Sequence, residues 1–159
     1  MCPRSNVLLA LLLIGIARFA SAAEPAETQA QREAALASML SGATLEGSFT
    51  VTGREAAKLT SDKYTLGEVK NVGGNNWLFP TRVQYENKDI TLPLTLPIEW
   101  AGDTPVVVVD NVGMPGLGTF SARVLFFNDH YAGYWQHGEV GGSLFGRIHR
   151  AEKPAGVAK

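Results

Sequence analysis

The chain has 159 residues, 45% of them hydrophobic and 18% charged, with a formal net charge of -1. That length supports one ordinary core, and the apolar fraction excludes a disordered polyelectrolyte. The near-neutral balance lacks the cationic footprint of a nucleic-acid binder.

In chain order, the first segment is an address. Arg4 precedes an unbroken apolar run from Val7 to Ala17, and Ala20-Ser21-Ala22 supplies small residues where a signal peptidase cleaves. The pattern predicts a cleaved secretory signal over residues 1–22. The run is shorter than the roughly 20 apolar residues of a spanning helix. The expected location is therefore periplasmic or extracellular, with no stable membrane insertion after cleavage. The single cysteine, Cys2, lies in that segment, so neither a disulfide framework nor a thiol nucleophile is expected in the mature chain.

Residues 23–43 are rich in Ala, Glu and Gln. Leu36, Met39 and Leu40 recur at helical spacing before Gly42, which predicts a short helix docking through those three side chains. From Thr44 the period changes to two. Leu45, Gly47, Phe49 and Val51 share one face of a first strand. Arg54 to Leu59 suggests one helical turn, Ser61-Asp62 restarts the chain, and a second strand is expected from Tyr64 to Val72. After Gly73-Gly74-Asn75, the next strand places Trp77, Phe79, Val83 and Tyr85 on one face, with Pro80 marking an edge or bulge.

The clearest alternation follows: Leu92, Leu94, Leu96, Ile98 and Trp100, with Pro93 and Pro97 on the opposite face. Two prolines remove two ladder donors, so this strand is expected to pair poorly on one side. Val106 to Val109 is apolar on both faces, as in a strand packed from two sides. Residues 113–118 read as a loop. Strands follow through Phe120–Phe126, Tyr131–His137 and Leu144–His149, and residues 151–159 read as a disordered tail. Together these runs predict one all-β domain over residues 44–150, an antiparallel barrel of eight or nine strands, with a β-sandwich as the alternative.

Chemistry is sparse. Folding a hairpin about residues 138–142 would place His137 and His149 on one face, six residues apart. That is about 20 Å at ~3.3 Å per residue, too far to share an ion, and His130 would point the other way. No metal site and no cofactor are expected. There is no Gly-x-Ser-x-Gly elbow, and the 113–118 glycines lead into a strand rather than the helix N-terminus a phosphate needs. The remaining enzymatic option is a hydrolase or isomerase site assembled in space from Asp103, Arg123, His130 and His137. No catalytic residue is assigned.

Aromatics near strand ends with a few polar groups suggest the lining of a small-ligand cavity: Trp77, Arg82, Trp100, Arg123, Tyr131, Trp135 and His137, with Tyr134 beside them. Arg123, next to Leu125 on a partly apolar face, would need an anionic partner if buried.

Two resemblances add to this reading. Leu45-x-Gly47-x-Phe49 and Tyr131-Ala-Gly-Tyr-Trp135 resemble calycin-type barrels (lipocalins and avidins), although Phe49 stands where those carry tryptophan. That resemblance implies a barrel holding a small apolar ligand. Trp100-Ala-Gly-Asp-Thr-Pro-Val, Pro115-Gly-Leu-Gly-Thr-Phe-Ser-Ala-Arg-Val, Tyr131-Ala-Gly-x-Trp-x-His-Gly and Gly141-Gly-x-Leu-Phe-Gly-Arg-Ile look like a family of exported bacterial proteins without an assigned activity. It implies no residue roles. The expected function is a non-enzymatic barrel binding a small apolar or anionic molecule. The alternatives are an envelope interaction module using an exposed edge and the spatially assembled enzyme.

Overall fold

A computed structural model of the chain describes residues 28–54 and 58–151. The expected signal segment with Cys2, the tail from 152 onward and residues 55–57 of the expected turn lie outside them.

The helix α1 spans Gln29–Leu40. It starts at a reciprocal cap in which Thr28 and Gln31 satisfy one another's backbone groups, a device that removes two orphan N–H groups. It ends at Ser41 and a left-handed Gly42. As the spacing predicts, Leu36 and Leu40 are fully enclosed, while Met39 is half-buried against the same core.

Nine strands follow: β1 Thr44–Phe49, β2 Thr60–Leu66, β3 Lys70–Gly73, β4 Asn76–Tyr85, β5 Lys88–Ala101, β6 Thr104–Met114, β7 Gly118–Phe127, β8 His130–His137 and β9 Val140–His149. All pair antiparallel. β9 returns to β1 and β2 reaches past β3 to β4, closing an eight-stranded barrel with β3 as an extra strand. The sheet closes on itself, so the sandwich alternative does not apply. Closure leaves few free edges, which suits a chain of short strands.

One correction concerns the second strand. The stretch expected from Tyr64 to Val72 is two strands, because β4 presents one edge to two neighbours: β3 along Asn76–Leu78 and β2 along Thr81–Tyr85. Pro80 sits at the changeover. Its carbonyl accepts from Gly67 N–H at 2.7 Å, and its missing donor falls where no strand needs one. A second correction concerns residues 113–118, where β6 and β7 continue to Met114 and from Gly118, leaving a turn of three residues. Val106–Val109 is corrected too. Val107 and Val109 face the core, but Val106 and Val108 lie half-buried on the outer face, with no second layer over them among the described residues.

Inward side chains build one cluster from Leu36, Leu40, Leu45, Leu66, Trp77, Phe79, Leu96, Ile98, Phe126, Tyr131 and Ile148, with others between them. The helix closes one end of the barrel. Arg32 lies over the Trp100 ring at 5.3 Å and donates to Gly102 O at 2.9 Å in the β5–β6 turn. Among the described residues the opposite end, where β1, β4, β6 and β8 finish, has no such cover and is the open one.

Candidate ligand-binding site

Two features of the interior matter chemically: a buried carboxylate and an aromatic mouth. Asp62 is 4% exposed and faces inward from β2. Tyr64, two residues on and therefore on the same face, donates to Asp62 Oδ2 at 3.0 Å. Tyr131 donates to Asp62 Oδ1 at 3.1 Å from β8, three strands away. The register explains that reach. Tyr131 faces Gly146, Gly146 faces Gly47 and Gly47 faces Asp62, one straight row across β8, β9, β1 and β2. A Cβ at Gly47 would stand 2.4 Å from the Tyr131 hydroxyl, and one at Gly146 would stand 2.6 Å from its ring. The two glycines clear the path of the phenol.

Burial pushes the Asp62 carboxyl above its ordinary range, although both phenols stabilise the anion. Burial and the neighbouring carboxylate push Tyr64 and Tyr131 upward. Each shift favours the protonated form, so the cluster is a hydrogen-bonded lock between β2 and β8 rather than a set of ready nucleophiles.

At the open end, Phe49 meets Tyr85 edge-on at 6.0 Å and Trp135 edge-on at 5.8 Å. His137 stacks on Phe120 at 4.6 Å, and its Nδ1 lies 2.9 Å from the Thr119 carbonyl. A carbonyl only accepts, so Nδ1 carries the proton and Nε2 is left as an acceptor. A cleft of about 340 Å³ lies on the outer side of the rim, between the end of β1 and the β8–β9 hairpin, and Trp135 is the one of these rings that lines it. Thr50, Trp135, Gln136, Glu139 and Ser143 are among its lining residues. The Trp135 Nε1–H is buried with no acceptor among the described residues.

The seven residues expected to form a ligand site are dispersed. Trp77 is core, and Trp100 lies under Arg32 at the helix end. Arg82 faces outward and binds Asp89 through Nε at 2.8 Å and Nη2 at 2.6 Å. Arg123 is exposed rather than buried, and Asp110 supplies its anionic partner at 2.8 Å. Tyr131 is committed to Asp62. Only Trp135 and His137 come together at the mouth. The proposed enzymatic grouping is also spread out: Asp103 pairs with Arg32 at the helix end, His130 and Arg123 face outward, and His137 stands at the opposite end.

The histidine geometry needs correction as well. The hairpin turns on Gly138-Glu139 alone, pairing His137 with Val140 and Tyr134 with Ser143. Gly138 enters the turn at φ +59, which short hairpins require. Relative to the expected pairing, the register moves by an odd number of residues, and an odd slip exchanges the faces. His137 therefore points inward and His149 outward, where it lies 3.8 Å from Glu46. Among the described residues no group of three His, Cys, Asp or Glu side chains is placed to hold a metal ion.

Asp62 and Phe49 were not among the expected site residues. Read from the sequence, Ser61-Asp62 only restarts the chain, yet Asp62 is in phase with Tyr64 and Leu66, a signal already present in the sequence. No family model, no curated protein and no solved structure matches the chain.

Proposed function

We propose that this protein is a non-enzymatic exported barrel that binds a small apolar molecule at its open end, against Trp135. What carries the reading is the Trp135 Nε1–H, buried without an acceptor beside a cleft whose volume is that of a small ligand pocket. An unmet buried donor costs about 1–3 kcal/mol, which a ligand acceptor would recover. The lumen below is occupied by side chains, so the mouth is the place for a ligand. The anionic variant is weaker, because Arg82 and Arg123 already hold Asp89 and Asp110.

Small molecules co-purifying with the mature protein, identified by mass spectrometry, provide the first test. Nile red, which is apolar and carries a carbonyl acceptor, provides the second. Its titration is expected to move the Trp135 indole N–H resonance and leave those of Trp77 and Trp100 in place. Trp135→Phe is expected to weaken the dye by about tenfold, the equivalent of one hydrogen bond. An unmoved Trp135 resonance, with nothing co-purifying, would sink the reading.

The interaction-module alternative has its own observation. Leu125, Phe127, Tyr134 and Phe145 are exposed together on the outer face of β7–β9, and Val106, Leu125, Ala132 and Phe145 form one register row around a groove of about 400 Å³. Apolar patches of this kind mark contact surfaces. If that face binds protein, Leu125→Asp should abolish any complex seen by gel filtration with envelope extract. An elution profile identical for both proteins would dismiss it.

A further inference from the structure

We propose that the barrel opens laterally between β5 and β6, with the tip of the β6–β7 hairpin as a flap, and that an apolar ligand reaches the inner side of the mouth by this route. The ligand part rests on the small-molecule reading above; the motion rests on the strand pairing.

β5 pairs with β4 from Lys88 to Pro97, but with β6 only through the four residues Ile98–Ala101 facing Val107–Thr104. Toward the mouth, neither facing edge is paired with any described strand. Ile98 N–H donates to Asn75 O at 2.8 Å, so even-numbered residues of β5 turn their peptide groups toward β4 and odd-numbered ones toward β6. Pro93 and Pro97 are both odd. Both missing donors therefore lie on the seam.

β6 is disarmed in a different way. Its register shifts between Val109 and Val112, with Asn111 at φ +50, and the Asn111 N–H is taken by Ser121 Oγ of β7 at 3.0 Å. Arg123 of β7 donates to Val109 O at 2.9 Å and to the Asp110 carboxylate at 2.8 and 3.0 Å. Side chains of β7 thus strap β6 where it leaves β5. β7 stays laddered to β8 from Ser121 to Phe127, so the part that can swing is the hairpin's tip, Asp110 to Phe120, beyond the hinge of four β5–β6 pairs.

Behind the seam stand Leu94, Val112 and Met114, half-buried against the core. The flap's turn rests on Ile90, whose Cδ1 lies 3.4 Å from where a Gly116 Cβ would be. Parting these contacts exposes aliphatic and thioether surface, which suits an apolar molecule. A peptide strand inserted here would find no donors at Pro93 and Pro97; an alkyl or aromatic ligand needs none.

The test uses Pro97→Cys with Val108→Cys in a Cys2→Ser background. Continuing the Glu99–Val106 register by two residues sets these positions opposite each other. One sample is joined by a short bismaleimide and the control is blocked with N-ethylmaleimide. The joined form is expected to take up Nile red about tenfold more slowly, with the same final fluorescence. In the control, the Glu99 and Val106 amides should exchange faster than those of the β8–β9 ladder, and the link should abolish the difference. Equal uptake rates would overturn the route. Hinge amides as protected as the β8–β9 ladder would overturn the flap. Fast hinge amides with no dye uptake by either form would remove the route and the small-molecule reading together, and leave the opening standing.

Discussion

Gly146→Ala is expected to destabilise the barrel by about 3–5 kcal/mol. The added methyl would meet the Tyr131 ring at 2.6 Å and the Glu46 carbonyl at 2.3 Å. Neither neighbour can withdraw cheaply. The carbonyl belongs to the β1 ladder, and the phenol is held on Asp62 across two strands. Overpacking a close-packed interior costs about 1–3 kcal/mol, and a phenol forced off its buried acceptor adds a similar amount. Urea unfolding followed by circular dichroism would measure the loss. Gly53→Ala, where nothing stands within 4 Å, should be far milder despite its positive φ. If Gly146→Ala matched the wild type, the row across β8, β9, β1 and β2 would not be the constraint described.

Asp62 carries the second large effect. Asp62→Leu leaves two buried phenols without their acceptor, about 1–3 kcal/mol each, partly offset by relief of a buried carboxylate. A net loss of about 2–4 kcal/mol at neutral pH is expected, with Asp62→Asn smaller because the amide oxygen still accepts. The pH dependence has a definite sign. The folded carboxyl titrates above the unfolded value of 3.8, so the native state holds a proton that the unfolded chain has released. Its contribution is complete below 3.8 and is lost as pH rises through the folded value. Wild type should therefore gain on Asp62→Asn as pH is lowered from neutrality toward 4. The exposed Glu46 and Asp89, both held low by cationic partners, act in the opposite direction and cancel in the comparison. At the alkaline end the raised phenols lose their contribution above pH 10. A wild-type-minus-variant difference that is flat across the acid range would refute the buried-carboxylate account.

Both predictions depend on long-range placement, and that is where the sequence stopped being legible. The residue alternation placed Trp77, Phe79, Val83 and Tyr85 of β4, and Leu92 through Trp100 of β5, on the inward face. The two prolines of β5 pointed to a badly paired side. Tyr131 stands out in the sequence as an aromatic of the expected ligand lining, but its bond to Asp62 is not legible there, because the partner lies 69 residues away and belongs to a strand not adjacent to its own. Arg123 raised the question of an anionic partner. The answer, Asp110, depended on a bulge in β6 that no periodicity announces.

The sequence by itself determined the all-β class, the helix that docks through Leu36 and Leu40, and the inward face of β1, β4, β5 and β7. These follow from local periods: a strand alternates every second residue and a helix every third or fourth. Only the tertiary structure decided which strand closes on which and how far each slides along its neighbour. Those choices depend on tilt and shear around the closed barrel, a global condition that local pattern does not encode. Hence the Tyr131–Gly146–Gly47–Asp62 row, the opposed histidines and the open β5–β6 seam appear only once the barrel is closed.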